Sequence, residues 1–241
     1  MIRRPAVVTK IEPYIDNLVE YLESSASPPR MLPLITSEMP VMPTKCILYN
    51  TEQLTRATEL QRILTRAQCE DVAEVWDYSL ANINILAQHG VNAVHCPVAA
   101  APSHLERIQA LSVGEPMYDV GFAGTPSQRR LAVLDALVQA GLSVCLIMDK
   151  IGDARDAVLA KCRVIINIHF AEDYQVFESV RCAPWLCIGK PVVSEQSIDD
   201  DPRAVNVPYV DLVSATLLAV EKSGNLVHVL HEGAERLQHT N

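Results

Sequence analysis

Four short runs between Tyr118 and Glu195 are almost wholly apolar: Tyr118-Asp-Val-Gly-Phe-Ala, Leu142-Ser-Val-Cys-Leu-Ile-Met, Arg163-Val-Ile-Ile-Asn-Ile and Lys190-Pro-Val-Val. Unbroken runs of this length, in place of strict alternation, predict strands buried on both faces of a parallel sheet. The segments between them carry helical spacing. Leu131, Leu134 and Leu137 share a face that Gly141 ends; Asp153 can cap a helix bearing Ala157, Val158 and Leu159; Phe177, Val180, Ala183 and Leu186 form a third face, closed by Gly189. Strand-helix alternation of this kind predicts a doubly wound sheet.

The earlier half repeats the pattern less regularly. Pro13 to Glu23 has a helical face of Tyr14, Leu18, Val19 and Leu22, and Pro33 within Met31-Leu-Pro-Leu-Ile marks an edge strand or extended loop. Lys45-Cys-Ile-Leu-Tyr is a buried strand, and the helix through Arg66 has Asn50 or Thr51 as its candidate cap. Ala73-Glu-Val-Trp is a minor strand; Ser79 caps the next helix, which carries Ile83, Leu86 and Ala87 and ends at Gly90. Val91 to Cys96 closes this half, and 98–117 reads as a connector. Past Glu195 come the acidic run Asp199-Asp200-Asp201 and helices near 208–222 and 225–237. The division expected is 1–103 and 104–241: two α/β halves whose strand-end loops face a common cleft, the first half reduced.

Composition narrows the function classes. With 49% hydrophobic residues the chain is globular, and a net charge of -9 argues against a nucleic-acid binder, which needs a basic surface. Seven cysteines without a C-x-x-C read as reduced thiols of a cytoplasmic protein, with Cys46, Cys145, Cys162 and Cys187 in or beside apolar runs. No apolar run nears the roughly 20 residues of a membrane span, so any membrane association is peripheral.

Open α/β sheets bind ligands at the carboxyl ends of their strands. Those ends carry Gly124-Thr125-Pro126-Ser127-Gln128-Arg129-Arg130, then Asp149-Lys150, then His169, then Ser194-Glu195. The helix start after Gly124-Thr125 can hold an anion, with Arg129 and Arg130 adding charge-assisted bonds or solvating a helix surface. Glu178 can accept ribose hydroxyls or answer a helix dipole, and Arg181, one turn on, suits a phosphate contact or an ion pair with Glu178. His169 stands at the rim or as a core histidine; Ser194 and Glu195 can meet a sugar or a diphosphate. Glu52 and Asp77 are candidate general bases, with capping and loop roles as alternatives. Only Gly121-x-x-Gly124 of the dinucleotide fingerprint is present, so Asp149 reads as a surface loop residue. The Asp199–Asp201 run reads as solvated, and no His/Cys spacing suggests zinc, so no metal is expected.

Several blocks together resemble a known family. Tyr118-Asp-Val-Gly-Phe-Ala-Gly-Thr with Arg129-Arg130 resembles the opening of the donor domain of GT-B glycosyltransferases. Asn167-Ile-His-Phe, Phe177-Glu-Ser-Val-Arg and Gly189-Lys-Pro-Val-Val-Ser-Glu are similar to later donor-site blocks of the glycosyltransferase family 1-like group. Tyr49-Asn-Thr-Glu-Gln-Leu and Val75-Trp-Asp-Tyr-Ser with Asn82 look like blocks preceding that domain in bacterial and viral surface-glycan members. The resemblance spans roughly residues 45 to 200. It implies a GT-B fold and metal-independent transfer from a nucleotide sugar, as co-substrate, to a glycan or lipid-linked acceptor in polysaccharide biosynthesis. The donor would lie in the second half and the acceptor in the first. Of the family's two glutamates, separated by seven residues ahead of the Gly-x-Pro-Val-Val strand, Glu178 is present, while the position seven before Pro191 is Pro184. That substitution keeps open a non-catalytic nucleotide-sugar-binding or partner module; an NAD-type oxidoreductase is the further alternative.

Overall fold

The computed structural model describes residue 20, residues 34–35, 45–98 and 100–224. The helix expected over Pro13 to Glu23 therefore lies outside the described residues except at its residue 20, and the helix expected over 225–237 lies outside them entirely. The described residues form an α/β protein with two parallel sheets. The first sheet has the order β1 (Leu34–Ile35), β2 (Cys46–Asn50), β3 (Val72–Asp77), β4 (Ala93–His95). Pro33 precedes an edge strand, as its missing N–H predicts, and the run at Ala73 is a full central strand flanked on both sides. Helices α1 (Ala57–Ala67) and α2 (Leu80–Gln88) connect β2 to β3 and β3 to β4. Arg56, not Asn50 or Thr51, is the N-cap residue of α1, whereas Ser79 caps α2 by accepting from the Asn82 amide at 3.2 Å.

Among its described residues this half does not show the double winding expected of it. Its strand order has no reversal, and Ile63 of α1 and Leu86 of α2 share one core with Cys46, Leu48 and Val75. The opposite strand residues, Ile47, Tyr49 and Trp76, pack with Tyr78, Cys96 and Val176, the last reaching over from the second half.

The second half is doubly wound. After α3 (Pro102–Ser112) come β5 (Tyr118–Ala123), α4 (Gln128–Gln139), β6 (Val144–Ile147), α5 (Gly152–Leu159), β7 (Cys162–Asn167), α6 (Ser179–Cys187), β8 (Val192–Glu195) and β9 (Val205–Val207). The sheet order is β6-β5-β7-β8-β9, every pair parallel. Val120 and Phe122 point to α4 and helical residues 212–224, while Ala123 and Ile165 point to α3, α5 and α6. Successive strands leave β5 in opposite directions, so the crevice opens at the carboxyl ends of β5 and β7.

Two local expectations need correction. The buried stripe of α4 is Arg130, Val133, Leu134 and Leu137, and Leu131 is exposed. Ile151, not Asp153, is the N-cap residue of α5. Cys46, Cys96, Cys162 and Cys182 are buried, Cys145 is half-buried, and Cys187, expected beside the core, is exposed like Cys69.

Gly121 sits where α5 and β7 press on β5. A Cβ there would lie 2.6 Å from Cys162 Sγ and 2.9 Å from Leu159 Cδ2. Gly121→Ala is expected to destabilise by about 1–3 kcal/mol through overpacking, read as a lower urea midpoint at unchanged slope.

Candidate functional site

At the crevice, β5 runs out through Ala123 into Gly124-Thr125, and Ser127 caps α4 by accepting from the Arg130 amide at 3.2 Å. Arg130, on the buried face of α4, turns back beneath the strand ends. Its Nε donates to Ile168 O at 2.8 Å, Nη1 to Thr125 O at 2.9 Å and Nη2 to Glu178 Oε1 at 3.0 Å. Glu178 is the N-cap residue of α6 but makes no capping bond with its side chain, which is turned to the arginines instead. Its other oxygen pairs closely with Arg181, whose Nη1 also donates to Asn167 Oδ1 at 2.7 Å. Both guanidinium carbons lie near the Phe122 ring, at 5.2 and 5.1 Å. Burial, then the Arg181 charge, pushes Arg130 down to about 10, so it remains a cation at neutral pH. A Cβ at Gly124 would lie 2.9 Å from Arg181 Nη2; glycine is what lets this guanidinium lie against the loop.

This cluster opens onto a cavity of about 720 Å³ lined by both halves. Thr51, Glu52, Gln53 and Tyr78 face it from the first sheet; Gly124, Thr125, Arg130, Glu178 and Arg181 face it from the second. Asp149, Lys150 and Arg155 lie at the end of the wall formed after β6, and Phe170 and Tyr174 complete the lining. Burial pushes the Tyr78 phenol up, reinforced by Asp77, Asp199, Glu178 and Glu52 around it. The halves are tied beside the cavity. Gln53 Oε1 accepts from the Val176 amide at 2.9 Å, Thr55 Oγ1 donates to Asp173 O at 2.7 Å, and Arg56 stacks on Tyr174 at 4.6 Å.

The acidic run is not a solvated loop. Asp199 accepts from the Phe177 amide at 2.8 Å and closely from Ser79 Oγ, joining the two halves. Asp200 accepts from the Ser197 amide at 2.7 Å, and Asp201 pairs with Arg203 at 2.7 Å. Among the described residues no group of three His, Cys, Asp or Glu side chains could hold a metal ion.

The expected rim residues divide between two places. Arg129, His169 and Glu195 line a separate, smaller cavity of about 530 Å³. There Arg129 forms a close two-pronged pair with Glu195 and stacks on Tyr209 at 3.6 Å. The His169 amide donates to Glu195 Oε2 at 3.0 Å, and its Nε2 lies 3.1 Å from Ser197 Oγ. Burial pushes the His169 imidazole down, and Glu195 and Glu178 do not offset it. Arg129 and Glu195 are thus partnered with each other, away from Arg130 and Arg181. Ser194 and Asp77 line neither cavity: Ser194 Oγ accepts from Asn167 Nδ2 at 3.0 Å in the buried sheet, and Asp77 is fully buried.

Comparison with known proteins finds similarity to uncharacterized viral proteins. No family model matches it. It is 37% identical over 158 residues to an uncharacterized protein of Acanthamoeba polyphaga mimivirus, covering 65% of this chain and 21% of that protein. A second uncharacterized protein of that virus is 34% identical over 179 residues, covering 70% of this chain and 20% of the relative. A third is 33% identical over 192 residues, covering 76% of this chain and 62% of the relative. The chain therefore spans about a fifth of the length of two relatives and about three fifths of the third.

Sequence reasoning missed Arg155, Gln53, Tyr78, Phe170 and Tyr174 as cavity residues. Arg155 is held by Asp156, which in turn meets His104 some 50 residues earlier in the chain, and no local pattern announces such a set. Gln53 and Tyr78 each directly follow a residue singled out for chemistry, so the signal was position: Tyr78 lies one residue beyond the end of β3 and Gln53 three beyond the end of β2.

Proposed function

We propose that this chain is a nucleotide-sugar-dependent glycosyltransferase of GT-B type that works without a metal. The observation that carries the reading is the Arg130–Glu178–Arg181 cluster, which opens at the sheet's reversal point onto a cavity that both halves line. Departure of a nucleoside diphosphate leaves negative charge that fixed cations stabilise. Arg130 and Arg181 are held in place before any ligand arrives, Arg181 retaining partial exposure at its guanidinium side chain. Glu52, across the cavity, is the base for an acceptor hydroxyl. Acceptor, cytoplasmic setting and a role in surface-polysaccharide synthesis follow from the same resemblance and belong to the proposal.

Isothermal titration with UDP-, GDP-, dTDP- and CMP-sugars, with NAD(H) as control, tests it. One nucleotide sugar is expected to bind, and Arg181→Ala to weaken it by about 10–100-fold, the worth of a hydrogen bond to a charged group. Slow donor hydrolysis is expected alongside. Binding of NAD(H) alone, or of nothing, overturns the reading; binding with no turnover in the presence of acceptors leaves a nucleotide-sugar-binding module.

A further inference from the structure

Asp77 has an unusual set of neighbours for a buried carboxylate. Among the described residues no cation pairs with it; instead three neutral donors converge. Asn50 Nδ2 donates to Oδ2 at 2.6 Å, the Ser79 amide to Oδ1 at 2.8 Å, and Asn82 Nδ2 to Oδ1 at 3.1 Å. Asn50 and Asn82 are fully buried too, and both grip the backbone of one residue. Asn50 accepts from the Glu52 amide at 3.0 Å and donates to Glu52 O at 2.9 Å; Asn82 donates to the same carbonyl at 2.9 Å and accepts from the Leu54 amide at 3.0 Å. Glu52 is the first-sheet carboxylate on the main cavity. A loop that would otherwise give its amides to water is thus held by side chains from β2 and α2, which the Asp77 carboxylate orients.

We infer that Asp77 is a positioning residue: through Asn50 and Asn82 it fixes the main chain of Glu52 and so the place of the Glu52 carboxylate on the cavity wall. The inference rests on the glycosyltransferase reading only where it concerns turnover; the fixing of the loop stands apart from it. An oxygen is needed at both positions because all three neighbours approach as donors. An amide at the same place would turn an N–H toward at least one of them. The 28-residue separation of Asn82 from Leu54 also makes the arrangement a clamp between α2 and the loop after β2, not a local turn.

Amide hydrogen exchange tests the loop directly. In the wild-type protein the Glu52 and Leu54 amides are expected to exchange slowly; exchange at the rate of an open loop would overturn the inference. In Asp77→Asn their protection is expected to fall at least tenfold, with the amides of Val120 to Phe122 unchanged. Asn50→Ala, which removes the acceptor of the Glu52 amide and leaves Asp77 intact, is expected to lower protection at Glu52, and it carries the test should Asp77→Asn fail to fold. Unchanged protection in either folded variant sinks the proposal. Hydrolysis of the nucleotide sugar found by titration supplies a second readout. Asp77→Asn is expected to lower turnover at unaltered affinity for the nucleoside diphosphate, and to cause no further loss when added to Glu52→Gln. Independent losses in the double variant would mean that Asp77 does not act through Glu52. If the wild-type protein binds no nucleotide sugar, the functional reading falls, and the exchange result still decides the positioning role.

Discussion

Glu178→Ala lowers the unfolding free energy by about 3–5 kcal/mol, the usual consequence of removing one member of a buried charge cluster. Arg130 is only 3% exposed, and the Arg181 charge already opposes its own. Without Glu178, two cations share the end of the cavity, and the bonds from Arg130 to Ile168 O and Thr125 O do not neutralise them. Urea unfolding at pH 7 measures the loss. Sulfate or phosphate should restore part of it in the variant, because an anion can take the vacated place between the guanidiniums, and such a ligand stabilises in proportion to its occupancy. Loss without anion rescue would mean that Glu178 serves α6, not the arginines. The companion experiment replaces all three residues with apolar ones of similar volume. A triple variant of this kind is expected to be near wild-type stability, since a buried ion cluster is a poor stabiliser compared with packed side chains, yet to bind no nucleoside diphosphate. Stability retained and binding lost together would show that the cluster is kept for its ligand.

The same cluster explains where the sequence misleads. Four strands of the second sheet were readable because each is a run of apolar residues bounded by glycine or polar groups, and Tyr118–Ala123 is found at its expected bounds; β9, a three-residue Val-Asn-Val, carries too short a pattern to be read. The phase of α4 was not. Apolar spacing selects Leu131, Leu134 and Leu137, but an arginine occupies the inward position next to Leu131, and Leu131 faces water. A buried cation breaks the pattern on which helix phase is judged. Consecutive residues on a helix diverge by about 100°, so Arg129 and Arg130 cannot serve one pocket; one went to Glu195 and the other to Glu178. That single turn of geometry accounts for the division of the expected rim. Asp199 was misread for a different reason. Its partner Ser79 lies 120 residues earlier, and nothing in an acidic run indicates a contact at that range.

Asp156→Ala has an effect of similar size, about 3–5 kcal/mol at pH 7, and its pH dependence identifies the cause. Asp156 is 1% exposed. It meets His104 Nε2 at 2.9 Å and accepts from Arg155 at 2.8 and 2.6 Å, with Arg107 at 3.7 Å. Burial pushes its carboxyl up, but the bonds to His104 and Arg155 together outweigh burial and hold it below the usual 3.8. A carboxyl depressed in the folded state stabilises fully above its unfolded value, and that contribution fades as pH falls through the folded one. The gap between wild type and Asp156→Ala should therefore be constant from pH 7 to about 5 and close below about 4. Asp77 acts in the opposite sense. Burial raises it to about 7 despite its three hydrogen bonds, so its contribution is full below about 4 and is lost as pH rises to 7. Urea midpoints of the wild type, Asp156→Ala and Asp77→Asn across pH 3 to 8 separate the two, because their windows meet only near pH 4. Closure of the Asp156 gap above pH 5 would mean that the Asp156 carboxylate does not control the cluster. Arg155 lines the main cavity, so the stability held at Asp156 also fixes one of the cations at the end of the cavity beyond β6.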